Sequence, residues 1–533
     1  MTRLWWLLLL IPASIWWVPG LGQTDDDARM ILEARKLWAG GGLPEHFSHV
    51  GMIALLAPVS HSLVLCHLPV WACYGLLVVG VWRLTDERGV ANKVRYPQNK
   101  REGLPGRGNP YGLGRQSLVG IGNVLAGFER CHPGTRFATV ATVALSPWIL
   151  YWSAEVMTEV PFTAATVWSL YFAKRRKWLP ALLVGLLAVS FRSIGVTLVA
   201  AVLVGWIVQE RKQDWWAAIA WPAGVGVAIW WVKRTHGDLA GGLLRGTPYT
   251  EPITWAEFPA RVGFNAWAYV SHHVPEALMP PEALPWPWLY ALVVAGLLTA
   301  SAVGLWRMRS LVLGVYLVAY GAALLVWPEI LGGSRYIVPL LPILLVGLTR
   351  RVPPGGRKPV LKTGVSESSG VRLLHPPPIS GRLTEGQGAG LLTRGWAKAY
   401  TGSIPVPTAI YLLLCLMFTA FRTQGDDLPG EWLDYQAIAT GLQGPPEKVV
   451  ACRKSNQMEI LSGHRAVGFP FAGPDSVMAW IDRERVTHVV LDQLEYSQTK
   501  RFLWPAVLKY PERFMPVSVV GPKEAHTVLL EVR

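Results

Sequence analysis

The chain has 533 residues, of which 51% are hydrophobic and 16% charged, with a formal net charge of +15. A mean hydropathy of +0.30 excludes an ordinary soluble globule and points to a polytopic membrane protein. The charge does not mark a nucleic-acid binder. Residues 83–136 hold ten Lys/Arg against four Asp/Glu and residues 350–406 hold nine against two, so two stretches carry most of it.

In chain order, the first apolar run covers residues 4–20. Its small-residue cleavage pattern is poor, so it reads as an uncleaved anchor rather than a signal peptide. Directly after it stand Asp25, Asp26 and Asp27. They fall at the cap and first turn of a short amphipathic helix in which Ile31, Ala34, Leu37 and Trp38 recur at helical spacing. The helix macrodipole favours acids there. Two acids would be enough for a cap, so a third at a membrane interface marks a functional candidate.

Further spans are expected near 62–82, 137–153, 160–173, 178–190, 194–208, 215–232, 286–305, 310–327, 335–349 and 407–421. That makes about eleven, several shorter than the roughly 20 residues a perpendicular helix needs. Many of the 27 Trp, among them Trp5, Trp6, Trp215, Trp216, Trp286 and Trp288, fall at the ends of these runs, as interfacial belts do. With the N-terminus inside, the turns at Arg83, Lys174 to Lys177, Arg211 and Lys212, Arg307 and Arg309, and Arg350 and Arg351 all lie on the cytoplasmic side. Every one is basic, as the positive-inside rule requires. The acidic loop, Glu155 to Glu159, Arg192, a loop over about 233–285, Glu329 to Arg335 and the C-terminal region are then outside.

The basic inserts 83–136 and 350–406 are rich in Gly and Pro, are expected to be poorly ordered, and suit anionic lipid. Residues 1–421 form the membrane domain. Residues 422–533 change character, with short strand-like runs at 448–452, 487–492, 514–520 and 527–532 alternating with helical stretches at 475–485 and 498–510. That alternation predicts a small external α/β domain. The five Cys show neither metal spacing nor a disulfide framework.

Four motifs carry a resemblance: Asp26-Asp27-Ala28-Arg29 after the first span, Ser153 to Phe162, Phe191-Arg192-Ser193, and Gly333-Ser334-Arg335-Tyr336 leading to Pro339 and Pro342. In that order and on one side of the membrane, they resemble polytopic GT-C-fold glycosyltransferases that use polyprenyl-phosphate sugars, such as protein O-mannosyltransferases and lipid A aminoarabinose transferases. The stretch from Arg453 to Phe471 is similar to external domains of bacterial members. The resemblance implies a multi-pass protein of the bacterial inner membrane with its active site outward. Its partners would be a polyprenyl-phosphate-linked sugar, a lipid, glycan or protein acceptor, and membrane lipid, with no nucleic acid. The chain departs from the family where relatives carry Lys-Pro-Pro; here His46 to Gly51 stand instead.

The chemistry asks for a base at the acceptor hydroxyl and positive charge at the phosphate. By motif match, Asp26 is the candidate base. Asp27 and Glu159 are candidates for positioning the acceptor or a divalent metal ion. Arg29, Arg192 and Arg335 are candidates for the donor phosphate, and His46 and His49 for phosphate or metal. Two other classes fit an apolar chain of this kind. A secondary transporter predicts charges at mid-span and internal repeats, whereas the charges here stand at span ends. A membrane scaffold with an external binding domain predicts that Asp26 is dispensable.

Overall fold

The computed structural model describes residues 25–42, 49–86 and 133–210, then 253–349 apart from 285, 309 and 327–332, then 405–422, and 429–533 apart from 446, 495–497 and 523–525, with Leu21 and four residues of 223–227. The expected span 4–20, all of 215–232 but those four residues, His46, Glu329, Gly332 and nearly all of both basic inserts lie outside these residues.

The first helix, α1 (Asp25–Trp38), has Asp25, Asp26 and Asp27 in its first turn and Arg35 and Lys36 in its last, so both ends complement the macrodipole. Its apolar stripe, Ala28, Met30, Ile31 and Ala34, is buried. Arg35 Nε donates to the Ser60 carbonyl at 2.8 Å, tying the far end down. A short α2 (Val50–Leu56) leads to α3 (Leu63–Leu84), whose Ser62 cap accepts from the Leu65 amide at 3.4 Å. Helices α4 (Pro133–Ala144) and α5 (Pro147–Ala154) meet at a 49° bend. Pro147 causes it, having no amide to continue the ladder and holding Ser146 extended.

Helices α6 (Glu159–Lys174) and α7 (Trp178–Phe191) form a hairpin, clipped by Ser169 Oγ donating to the Ala181 carbonyl at 2.8 Å. Next comes α8 (Val196–Gln209). The segment expected outside contains α9 (Phe258–Ala268), a π-turn over Tyr269–His273 and α10 (Val274–Leu278). It is followed by α11 (Pro287–Met308), α12 (Leu311–Val326), two 3-10 turns from Ser334 to Leu340, α13 (Leu341–Leu348) and α14 (Val406–Arg422). Helices α11 and α13 touch through bare backbone: a Cβ on Gly347 would stand 2.6 Å from the Ser301 carbonyl.

All expected spans within the described residues are helical. Among the described residues, two helices, α3 and α11, are long and apolar enough to cross a membrane alone, or up to three spans occur if the bent α4–α5 pair is one, so the expected count of about eleven is not established. Shorter apolar helical segments, Val50–Val59, Trp178–Phe191, Ser193–Gln209, Leu311–Val326, Ser334–Leu348 and Val406–Thr419, pack with them into one core.

The bundle has two chemically different ends. Helix α6 begins at Glu159 and finishes at Lys174, so about 24 Å separates them. At the Lys174 end basic side chains gather on Asp86: Arg136 Nη1 lies 3.4 Å and Arg175 Nη2 3.9 Å from its carboxylate. The Glu159 end holds the site described below.

The C-terminal region is α/β as expected. Its sheet runs β2 (Arg465–Val467), β1 (Val449–Ala451), β3 (His488–Leu491), β5 (Thr527–Val532), β4 (Phe514–Val520), parallel over the first three strands and antiparallel over the rest. Alternation along the strands builds two cores. Ala451, Val489 and Leu530 pack with α17 (Pro474–Glu484) and α18 (Trp504–Lys509). Val450, Val490 and Leu529 pack with α15 (Gly430–Gly441) and α16 (Ser455–Ser462). The described cysteines Cys66, Cys73, Cys415 and Cys452 are free.

Candidate functional site

A cleft of about 630 Å³, counting its open mouth, sits where α1, α6, the α7–α8 turn and the Arg335 turn meet. Its walls include Asp26, His49, Glu159, Arg192, Arg335 and Tyr336. Five candidates from distant parts of the chain thus converge.

Each is held by a local feature. Glu159 is the first residue of α6. Arg192 leaves α7 in an extended conformation, which turns its side chain across the helix end to Glu159. Arg192 Nη1 donates to Glu159 Oε1 at 2.6 Å, with the two side chains 7% and 1% exposed. Arg335 rides on the 3-10 turn Ser334–Tyr336. Its Nη1 lies 3.4 Å from Asp26 Oδ2, and these side chains are 30% and 53% exposed. Between the arginines lies the Tyr336 ring, 4.5 Å from the Arg192 guanidinium carbon and 5.1 Å from that of Arg335. Tyr320 Oη donates to the Tyr336 carbonyl at 2.8 Å and fixes the turn from behind.

His49 Nδ1 donates to the Phe191 carbonyl at 2.7 Å, joining α2 to the Arg192 turn. Burial, then the Arg192 charge, holds His49 below the ordinary histidine range. It therefore faces the cleft as a neutral imidazole, a hydrogen-bonding group rather than a cation.

Asp27 and Arg29 do not line the cleft. Successive helical residues turn away from one another, so Asp26 and Met30, one turn apart, face it together. Asp27 is fully buried, and its Oδ1 accepts from the Ala28 amide at 2.7 Å; Arg29 is exposed.

Neither Asp27, Glu159 nor His49 belongs to a group with metal-ligand geometry among the described residues. One such group does occur: His272, His273 and Glu276, with ligand atoms within 4.8 Å of one another. The π-turn ends at His273, and Glu276 follows on α10. Two imidazoles and a carboxylate have the composition of a three-ligand zinc site. Glu276 Oε2 also accepts from Ser334 Oγ at 2.9 Å, next to Arg335. Sequence reading passed over this trio inside a long loop, although two adjacent histidines with an acid at i+4 were visible.

No family model matches the chain, and no curated protein does. Two solved structures of ArnT from Cupriavidus metallidurans are similar, both at 12% identity over 100% of this chain and 99% of the other. The apo state has a TM-score of 0.49, and the protein bound to undecaprenyl phosphate has 0.50. The chain has an ArnT-like fold. The likeness to the undecaprenyl phosphate-bound structure carries that statement, which bears out the expected fold in its general architecture.

Proposed function

We propose that this protein is an integral membrane glycosyltransferase. It moves a sugar from a polyprenyl-phosphate donor to an acceptor hydroxyl or phosphate at the extracytoplasmic face of a bacterial inner membrane. The observation that carries this reading is the meeting of two carboxylates and two arginines in one cleft, at the end of the bundle opposite the basic turns. An ArnT-like fold supports it, because one of those structures holds undecaprenyl phosphate.

The chemistry follows from the two arginine pairs. The acceptor oxygen attacks the anomeric carbon, and the bond from that carbon to the phosphate oxygen breaks. The electron pair leaves with the polyprenyl phosphate, and the hydroxyl proton passes to Asp26. Before donor binding, Asp26 stands in a long, half-exposed contact with Arg335. A phosphate offers the guanidinium fork better-matched acceptors than one carboxylate oxygen at that distance. Donor binding would draw Arg335 onto the phosphate and release Asp26 to act as base, an effect worth about 10²–10⁴ in rate. Arg192, fixed by Glu159, adds positive potential behind Tyr336. Glu159 Oε2 is buried without a hydrogen-bond partner among the described residues and can orient an acceptor hydroxyl. We infer that a divalent ion, where bound, is held by His272, His273 and Glu276, adding positive charge beside the Arg335 turn.

The test is turnover of lipid-linked sugars by the purified full chain in lipid nanodiscs, read by mass spectrometry. Release of polyprenyl phosphate with a one-sugar mass gain on an acceptor is expected. Arg335→Lys should raise the apparent donor KM or lower turnover. Intact donor across lipid, glycan and peptide acceptors would count against the transferase.

A further inference from the structure

Three consecutive aspartates open α1, and the cleft uses one of them. Asp27 is fully buried, its Oδ1 accepting from the Ala28 amide. Asp25 points the third way, out of the bundle and into the C-terminal domain. Its Oδ2 accepts from Asn456 Nδ2 at 2.5 Å, and its Oδ1 accepts from the Gln457 backbone amide at 3.2 Å.

Those donors belong to the first turn of α16. That helix has no cap from its own N-cap residue: Lys454 stands there, and its side chain cannot accept a hydrogen bond from the orphan amides. Gln457 is the third helical residue, whose amide a capping side chain ordinarily satisfies. Asp25 fills that position from 432 residues away. The Lys454 ammonium is attracted to the same carboxylate and lies 5.2 Å from the Trp432 ring centre. On the domain side the receiving turn is rigid. Tyr435 Oη donates to the Lys454 carbonyl at 2.9 Å, and Met458 is fully buried in the sheet's core.

The geometry points to Asp25 as a positioning residue: by capping α16 it docks the C-terminal domain on the start of α1 and so fixes Asp26 at the cleft. This rests on the transferase reading above. Arg35 anchors α1 at its far end, and Asp25 anchors it at the end that matters for the proton. A displacement of about 1 Å at a reacting group can cost about 10²-fold in rate.

The experiment compares the full-length wild type, Asp25→Ala, Asn456→Ala and the double variant in nanodiscs with a polyprenyl-phosphate-linked sugar. Turnover, donor KM and amide hydrogen exchange over 455–462 are measured together. Each single variant should speed exchange in α16 and lower kcat about ten- to a hundredfold, with donor KM changed less than about twofold. The double variant should be little worse than Asp25→Ala alone, since that substitution already removes the Asn456 contact along with the Gln457 one. In a fourth protein, Asp25→Cys with Asn456→Cys, bridging the thiols with a bis-maleimide should restore turnover without restoring a carboxylate. Unchanged exchange in Asp25→Ala, or accelerated exchange with wild-type kcat, would overturn the assignment while leaving the transferase intact. A wild type that moves no sugar removes both.

Discussion

Two arginine–carboxylate pairs stand in one cleft and share one tyrosine ring, yet they differ in kind. Arg192 and Glu159 are almost completely buried and 2.6 Å apart; Arg335 and Asp26 are partly in water and 3.4 Å apart. Removing one partner of a buried pair strands a charge in a poor solvent, at a cost of about 3–5 kcal/mol. Breaking an exposed pair costs about 0–1 kcal/mol. The first pair is thus a fixture, and the second can exchange partners during a reaction cycle. The difference assigns roles that residue types alone could not.

The largest expected effect breaks the fixture. Arg192→Ala should destabilise the bundle by about 3–5 kcal/mol, seen as a lower thermal midpoint in detergent. Arg192→Met with Glu159→Gln should recover most of it, since the stranded charge is gone. Full stability in Arg192→Ala alone would erase the distinction between the pairs.

A smaller effect sharpens what the arginine does for a buried carboxylate. Asp492 is also buried, but it is held by neutral donors, Thr499 Oγ1 at 2.8 Å and backbone amides, rather than by an arginine at hydrogen-bond distance among the described residues. Burial pushes its pKa up to about 6. A carboxyl raised above its ordinary value of about 3.9 stabilises the fold most at low pH, and that contribution is lost as pH rises through about 6. Asp492→Asn should therefore gain stability relative to wild type at pH 8 and lose that advantage near pH 4, read by denaturant unfolding of the C-terminal domain. An advantage that does not depend on pH would contradict it.

The smallest effect concerns the shared ring. Tyr336→Leu removes a cation–π contact from each arginine, about 0.5–1 kcal/mol apiece. The thermal midpoint should fall only slightly, while donor KM rises because Arg335 loses its backing. A large stability loss would mean that the ring supports the bundle, not the site.

Much of this was legible in the sequence, and the misses have physical causes. The apolar runs announced the helices because a bilayer demands long unbroken stretches, and the basic turns announced one end of the bundle. Asp26, Glu159, Arg192 and Arg335 were legible as charges at span ends, where desolvation makes idle charge costly. Their pairing was not legible, because 309 residues separate Arg335 from Asp26 and nothing in either segment names the other. The short strand Arg465–Val467 escaped notice, being three residues long and defined by its neighbour β1. Asp25 read as a cap for its own helix; it caps another, which only the packed domain could reveal. Tyr336 was quoted in a motif but given no role, since a tyrosine earns one here only from the two cations around it.

The most direct test of the account is Asp26→Asn, assayed for sugar transfer, polyprenyl phosphate binding and thermal stability in the same preparation. The substitution keeps the shape of the side chain and removes its basicity. The account predicts a fall in turnover of at least about 10²-fold, with the thermal midpoint and lipid-phosphate binding close to wild type because the pair with Arg335 is exposed and weak. Near-normal turnover would contradict it.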